Sequence, residues 1–337
     1  MAENSKIEWC HHTFNPWTGC TKIGPGCDHC YAEGWAKRSG IVQWGPGAER
    51  RRTSEANWKQ PIKWNAEAER LGVRYRVFCA SLADVFDNEV PAEWRADLFD
   101  LIAKTPNLDW LLVTKRVGNV ERMVMDALRT MFIRTNQEPP TWPWANVWLG
   151  ITVVNQDEVG RDIPKLIQTP AAVRFLSVEP LLGPVSFRWM PAWPENKANR
   201  ALNPAGGTDH LDGLRRLDWV IVGGESGPGA RPMHPQWARD IRDQCANAGT
   251  AYLHKQNGEF ADMQTARIVQ SGPVMDSKGN VADWMRQAVT FSDGRSAVVR
   301  AYTFNGHSSD LMYRVGKKAA GRLLDGVLHD GYPELSA

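Results

Sequence analysis

The feature that most constrains the fold is a regular alternation of short apolar segments and helical patterns that begins at Arg76. The apolar segments are β-prone, and the segments between them have helical periodicity, which is typical of a parallel sheet covered by helices. Pro91 and Pro235 stand where the first turn of a helix tolerates proline. The predicted strands are residues 77–81, 110–114, 147–153, 173–177, 219–222 and 251–254, and the predicted helices are residues 91–104, 119–134, 156–168 and 235–248.

Two further segments extend this pattern toward the start of the chain. Residues 7–14 have the pattern of an extended strand and residues 31–38 that of a helix, so the chain contains about seven βα-like units. This number predicts an α/β fold built as a partial, TIM-like (β/α) barrel over residues 1–260. Periodicity alone does not separate such a barrel from a doubly wound sheet.

The alternation is broken in two places. Residues 187–217 are rich in Pro, Asn, Gly and Arg and are too long for a simple connection, so we predict a surface insertion there. Beyond residue 260 the alternation stops, and residues 261–337 are predicted to form a C-terminal extension. Within it we expect an irregular hairpin over residues 261–299 and a terminal helix over residues 313–325.

Charge and apolar content narrow the class of protein. The 337 residues include 40 Lys and Arg against 38 Asp and Glu, and the resulting net charge of +2 neither demands nor excludes a nucleic-acid partner. Residues 1–6 are polar, no apolar core follows them, and no run approaches the length of a membrane span. We therefore expect a cytoplasmic protein with no membrane partner, in which the six cysteines are reduced.

Three cysteines, Cys20, Cys27 and Cys30, lie within eleven residues on a Gly- and Pro-rich loop. Such a loop can fold back so that its sulfurs face one point. Thiolates select zinc and iron–sulfur clusters, and structural zinc normally takes four protein ligands. A four-iron cluster held by three thiolates keeps one iron open to a small molecule. The count of three therefore favours a catalytic [4Fe-4S] cluster.

Four sequence blocks carry a resemblance to a known family. In its final C-x2-C half, the C-x6-C-x2-C loop resembles the cysteine motif of the radical S-adenosylmethionine (SAM) superfamily, although the first gap is wider and the aromatic Tyr31 follows the last cysteine. The set of blocks is similar to that of a phage-associated three-cysteine family, a divergent branch of this superfamily. The blocks are Asn15-Pro16-Trp17-Thr18-Gly19-Cys20, Ser177-Val178-Glu179-Pro180-Leu181, Gly223-Gly224-Glu225-Ser226 and Val315-Gly316-Lys317-Lys318-Ala319-Ala320-Gly321-Arg322-Leu323-Leu324-Asp325-Gly326.

The resemblance implies an enzyme that cleaves SAM reductively and forms a 5′-deoxyadenosyl radical. The cofactors would be SAM and a [4Fe-4S] cluster on the three clustered cysteines, with an external electron donor as a partner. Ligands of barrel enzymes collect at the carboxyl ends of the strands, so polar residues directly after each strand are the candidates. Chemistry and strand order assign Ser81 and Asp84 to the SAM ammonium, Lys115 to its carboxylate, Asn155 or Glu179 to the ribose, Gly224 to close backbone approach, and Glu225 with Lys115 to catalysis.

The substrate follows from analogy. The strand-end residues are similar to those of the branch that contains spore photoproduct lyase, which acts on thymine in DNA. Together with the phage association, this implies a nucleobase substrate, such as a hypermodified thymidine in phage DNA that the enzyme would isomerise or modify. Such a base would have to be presented outside the stack.

An irregular stretch over residues 39–65 bears on the same question. It combines three arginines with three tryptophans, a mixture that can follow a phosphate backbone and stack bases. A solvated loop pinned by its tryptophans explains the pattern equally well. The residues are Arg50, Arg51, Arg52, Trp44, Trp58 and Trp64.

Two other functions fit parts of the sequence. The first is a zinc-binding nucleic-acid module, in which Cys10 or a histidine joins the three clustered thiolates as the fourth ligand. The second is a (β/α)-barrel hydrolase or lyase with a structural metal at the cysteines, in which Glu179, Glu225 and Lys115 are the acid–base groups. A brown chromophore after anaerobic iron reconstitution would count against the first function, and full activity without SAM or a reductant would favour the second.

Overall fold

The apolar segments form one seven-stranded sheet in a computed structural model that describes residues 4–188, 190–191, 210–278, 281–304 and 311–334. The strands of the chain are β1 (His12–Phe14), β2 (Trp17–Thr18), β3 (Arg51–Arg52), β4 (Tyr75–Cys79), β5 (Leu108–Thr114), β6 (Val147–Thr152), β7 (Val173–Val178), β8 (Met190–Pro191), β9 (His210–Leu211), β10 (Trp219–Gly223), β11 (Ala251–Gln256), β12 (Phe260–Ala261), β13 (Ile268–Met275), β14 (Val281–Phe291), β15 (Ser296–Thr303) and β16 (Leu311–Arg314). The sheet order is β1-β4-β5-β6-β7-β10-β11, and the neighbouring pairs from β1 to β7 are parallel. The predicted α/β class is thereby confirmed.

Helices connect the strands of this sheet, as the alternating pattern predicts. The helices are α1 (Tyr31–Ser39), α2 (Glu55–Trp58), α3 (Gln60–Leu71), α4 (Ala92–Ala103), α5 (Val120–Thr135), α6 (Gln156–Gln168), α7 (Pro235–Ala248) and α8 (Lys317–Ala320). The strands and helices predicted from residue 76 to residue 254 are all present, and their ends differ from the prediction by at most two residues. Among the described residues, no helix combines the length and apolar character needed to cross a membrane.

Residues 39–65, predicted to be irregular, include α2 and the start of α3, so the prediction is wrong for these residues. Pro61 stands in the first turn of α3, and Gly72 ends this helix with a left-handed φ of 66°. Pro61, Trp64 and Ala68 form its buried face, at the spacing of three and four residues that places side chains on one side of a helix. The buried Trp64 is therefore a core residue of this helix.

The chain forms two compact units. The first comprises Met1–Val153, Asp157–Ser177 and Phe187–Val220, and the second comprises Val154–Gln156, Val178–Ser186 and Ile221–Ala337. Residue 260, the predicted domain boundary, falls within the second unit, and the predicted division of the chain stays a prediction. Of the predicted insertion, residues 189 and 192–209 lie outside the described residues. The short strands β8 and β9, which come directly before and after residues 192–209, pair with each other.

Aromatic packing fills the core of the first unit. The buried Trp219 ring contacts Trp9, Trp148 and Phe175, with centroid separations of 6.5, 6.1 and 5.7 Å. Phe175 also covers Gly150 so closely that a Cβ atom there would lie 2.3 Å from the ring. Large rings and a glycine thus fit together on one face of the sheet.

The second unit contains a five-stranded antiparallel sheet in the order β12-β16-β15-β14-β13. The terminal helix predicted over residues 313–325 is wrong, because β16 occupies 311–314 and α8 spans only four residues. Gly316 and Gly321 flank this short helix with φ values of 87° and 66°. Pairing with β12 and β15 satisfies the backbone of β16, and this tertiary pairing overrides the helical periodicity of its side chains.

Candidate functional site

The cysteine loop begins directly after β2 and ends at the first turn of α1. Cys27 closes a short 3-10 turn whose amide donates to Gly24 O at 2.9 Å, and Cys30 is the residue before α1. Cys27 is buried, Cys20 and Cys30 are half-buried, and all three thiols are free. Gly19 enters the loop with φ 106°, a conformation that favours glycine. The sequence thus sets three thiols on a tightly turned segment.

Contacts within the first unit fix both ends of this loop. Lys22 pairs with Glu33 of α1 at 2.8 Å. The Tyr31 hydroxyl donates to the Ser81 carbonyl at 2.6 Å, which ties the start of α1 to the loop after β4. Ser81 itself exchanges hydrogen bonds with Asn15, whose side chain also accepts from Leu82 N at 2.7 Å. Ser81, a predicted SAM ligand, therefore lies beside the cysteine loop.

The carboxylate of Asp84 organises the end of β5. It accepts hydrogen bonds from the Thr114 hydroxyl at 2.8 Å, from Phe86 N at 2.9 Å and from Lys115 N at 3.2 Å. The guanidinium of Arg116 adds an ion pair at 3.0 Å, and Asp84 is 5% exposed. Both oxygens of this predicted SAM ligand are thus engaged by the protein, which makes Asp84 a positioning residue for the segment 114–116.

Arg116 connects Asp84 to the cysteines. Its Nη1 lies 3.5 Å from Cys20 Sγ, and its Nη2 donates to Thr21 O at 3.0 Å. Lys115 is the cation predicted from the sequence, whereas the structure directs the neighbouring arginine toward Cys20. A sequence offers no means to choose between adjacent cations, because the choice depends on how the chain turns after β5.

Burial controls the ionisation of the Cys20 thiol. Desolvation and the nearby charge of Asp84 raise its pKa to about 11, and Arg116 opposes this rise. Burial acts to lower the pKa of Arg116, but nearby negative charge, chiefly that of Asp84, outweighs this effect and raises the pKa above its usual value, so the guanidinium stays charged. At neutral pH the isolated thiol is therefore protonated, and a bound metal would be needed to stabilise the thiolate.

The donor set can be compared with what a cluster requires. Among the described residues, no group of three His, Cys, Asp or Glu side chains is arranged to hold a metal ion. The ligand type is nevertheless the one that iron–sulfur clusters use, because three free thiols belong to one loop. Cys20, Cys27 and Cys30 are the residues that would hold it.

The residues upstream that would complete a zinc site have other contacts. His11 Nδ1 accepts from Arg76 N at 2.8 Å, and its pKa is lowered to about 4, chiefly by burial. The His12 ring stacks on Trp64 with centroids 4.4 Å apart. Cys10 is buried. These contacts are typical of core residues and do not favour a zinc module.

Predicted site residues of the second unit form their own cluster. The Glu179 carboxylate follows β7 and pairs with Lys255 Nζ at 2.8 Å. Gly223 lies beneath it, where an added Cβ would be 2.6 Å from Glu179 Oε1. Asn155 is half-buried in the segment before α6. Glu179 and Lys255 thus place one carboxylate and one ammonium close to the backbone at Gly223, and a side chain there would displace the Glu179 carboxylate.

The Gly-Gly-Glu-Ser block is closely packed against the chain itself. A Cβ on Gly224 would lie 2.3 Å from the carbonyl oxygen of Asn257, so this glycine is required by backbone packing. Glu225 is buried and receives the Arg231 guanidinium through two hydrogen bonds of 2.8 Å. A fork-to-fork pair of this kind anchors a loop. Glu225 belongs to the second unit and its predicted catalytic partner Lys115 to the first.

The arginine and tryptophan mixture over residues 39–65 is mostly engaged within the protein. Arg50 is fully buried and pairs with Asp87 and Glu89, each at 2.8 Å. Arg52 pairs with Asp97 at 2.7 Å and lies 4.1 Å from the ring centre of Trp58. Two of the three arginines therefore stabilise the fold, and their sequence pattern does not support a nucleic-acid interface.

Comparison with known proteins places the chain in a family without assigning an activity. No curated protein and no solved structure matches it. A family described as a protein of unknown function (DUF5131) matches residues 4–333, which is nearly the whole chain. The protein is therefore a member of the DUF5131 family.

Proposed function

We propose that this protein is a radical SAM enzyme that carries a [4Fe-4S] cluster on Cys20, Cys27 and Cys30. The observation that carries the proposal is the loop of three free thiols, which is fixed at both ends and faces Arg116. Three thiolates match a cluster with one open iron better than they match structural zinc. We extend the α/β class to a partial, TIM-like barrel, because the sheet and its helices have the composition of repeated βα units.

The cofactor would supply the electron for reductive cleavage of SAM, and the protein supplies position and exclusion of water. In the first unit, Ser81 and Lys115 follow β4 and β5 and remain the proposed ligands of the SAM ammonium and carboxylate. Asp84 acts through Arg116 and the backbone of Lys115. This arrangement holds the loop residues in place before the cofactor arrives.

In the second unit, we propose Glu179 as the partner of a ribose hydroxyl, with its carboxylate held in place by the ion pair to Lys255 Nζ at 2.8 Å. Asn155 is the second candidate for this role. Gly224 and Glu225 support the loop that follows β10, since both are engaged by packing and by Arg231.

The proposed substrate class is a nucleobase, modified or isomerised with the help of an external electron donor. This step rests on the resemblance described above and not on the arginines over residues 50–52. Reduced thiols and the lack of a membrane-crossing helix among the described residues are compatible with a cytoplasmic location, which we include in the proposal.

Anaerobic reconstitution with iron and sulfide tests the proposal. We expect a brown protein with the absorbance and electron paramagnetic resonance (EPR) of a four-iron cluster, which forms 5′-deoxyadenosine when SAM and dithionite are added. Cys27→Ala should lose both the cluster and this product. Cys245→Ala, which removes a buried thiol of α7, should retain both. Stoichiometric zinc without a cluster, or equal losses in the two variants, would contradict the proposal.

A further inference from the structure

We propose that Arg116 is a positioning residue that raises the reduction potential of the cluster by donating a hydrogen bond to Cys20. The inference rests on the function proposed above, because it assigns a role toward the cluster. It concerns a residue that neither the cysteine motif nor the strand-end assignments include.

The guanidinium of Arg116 is held in one orientation by its surroundings. Nη1 contacts Asp84 Oδ2 at 3.0 Å and Cys20 Sγ at 3.5 Å, while Nη2 donates to Thr21 O at 3.0 Å. The side chain is only 10% exposed. Because a planar guanidinium has donors in a fixed fork, these contacts together direct one N–H toward the sulfur.

The backbone before Arg116 supports this orientation. Arg116 N donates to the Thr114 hydroxyl at 2.8 Å, and that hydroxyl donates to Asp84. The Asp84 carboxylate thus contacts the segment at its hydroxyl, its backbone and its guanidinium. Asp84, at 3.0 Å, and Asp87, at 3.9 Å, offset part of the charge of the guanidinium. The arginine is consequently fixed before any cofactor binds.

Hydrogen bonds to cluster sulfurs and the net charge near a cluster set its reduction potential. Reduction adds negative charge that is shared with the thiolate ligands, so a donor and a positive charge at Cys20 stabilise the reduced form. Loss of this contact should therefore make the cluster harder to reduce. A purely structural arginine would hold Thr21 in place and leave the potential unchanged.

Two substitutions at Arg116 separate charge from geometry, and a third provides the control. Arg116→Gln removes the charge, whereas Arg116→Lys retains the charge and loses the fork. Arg174 is a matched control, because its guanidinium donates to a backbone carbonyl, Thr169 O, at 3.2 and 3.0 Å from Nε and Nη2. Arg174→Gln therefore also removes an arginine that contacts the backbone.

The experiment is an EPR-monitored redox titration of the four reconstituted proteins, with iron and sulfide content measured in parallel. We expect Arg116→Gln to retain its cluster while the equilibrium constant for one-electron reduction falls at least tenfold, equivalent to about 59 mV. Arg116→Lys should fall between this variant and the parent, and Arg174→Gln should match the parent. If Arg116→Gln loses its cluster, the reduction potential of Arg116→Lys tests the proposal, which requires a potential below that of the parent.

The outcomes distinguish the two proposals. Clusters with the parent's potential in both Arg116 variants would overturn the role of Arg116 and leave the proposed function intact. The same drop in Arg174→Gln would also overturn it, because the effect would not depend on the contact with Cys20. A parent protein that binds no cluster would overturn the proposed function, and the role of Arg116 would fail with it.

Discussion

Replacing Arg50 with glutamine is expected to destabilise the first unit by about 3–5 kcal/mol, the usual cost of breaking a buried ion pair from one side. The Arg50 side chain is 0% exposed, and its guanidinium contacts Asp87 Oδ2 and Glu89 Oε2 at 2.8 Å. It also donates to Thr21 Oγ1 at 2.9 Å and to the carbonyl oxygen of Ala48 at 2.7 Å. The buried Asp87 carboxylate would retain the Glu89 amide at 3.2 Å and the more distant Arg116 guanidinium at 3.9 Å, but would lose its close ion pair at 2.8 Å.

Thermal unfolding measures this loss. For a unit of this size, 3–5 kcal/mol corresponds to a decrease in the melting temperature of roughly 6–20 °C. Arg51→Gln is the matched control, because the exposed Arg51 donates to the Ile41 carbonyl at 3.1 Å and should change the free energy of unfolding by less than about 0.5 kcal/mol. Equal melting temperatures for the two variants would refute the buried-pair argument and return Arg50 to the surface role that the sequence pattern suggests.

Two further predictions concern packing and pH. Gly150→Ala should lower the free energy of unfolding, measured by urea denaturation, by about 1–3 kcal/mol, because the new Cβ would lie 2.3 Å from the Phe175 ring. The control is Gly160→Ala in α6, whose new Cβ meets no atom within 4 Å and should not lower the free energy of unfolding. Equal losses in the two variants would contradict this prediction. His254 is fully buried, its Nε2 lies 2.9 Å from Asn257 Oδ1, and burial lowers its pKa from 6.5 to about 4. The unfolded chain therefore binds a proton first, so the stability present above pH 6.5 should fall by about 3 kcal/mol as the pH drops to 4. His254→Gln should lack this part of the pH dependence, and identical pH profiles of the two proteins would count against it.

The central sheet was predictable because its strands carry the signal in their own residues. Runs such as 110–113 are apolar throughout, and the buried residues of the helices recur at helical spacing. Local patterns of this kind predict the fold correctly, because the core of the first unit consists of these same side chains.

The terminal segment shows where such patterns mislead. Residues 311–323 have a helical spacing of apolar side chains, yet β16 pairs with the preceding strand β15 and with β12, which is more distant in sequence. Sequence periodicity does not report the hydrogen-bond partners that the rest of the chain offers. The two glycines at φ 87° and 66° mark the interruption, and they are signals that could have limited the predicted helix.

The candidate site was predictable to the level of its motif and no further. The spacing of the cysteines is enough to predict them as ligands. Which of Arg116 and Lys115 contacts Cys20, and whether Arg50 is buried, depends on where two carboxylates lie. Those carboxylates, Asp84 and Asp87, are close in sequence to neither arginine. A sequence therefore indicates which residues are chemically able to act, and the fold decides which of them contact each other.

Stability and the proposed chemistry of the first unit depend on the same contacts at one residue of the loop. Thr21, the neighbour of Cys20, receives a hydrogen bond at its hydroxyl from Arg50 and another at its carbonyl from Arg116. Fixing the backbone of one residue costs about 1–2 kcal/mol. Because these buried arginines fix the loop during folding, that cost does not reduce the free energy of cofactor binding. Two buried arginines thus stabilise the fold through their carboxylates and prepare the loop through Thr21.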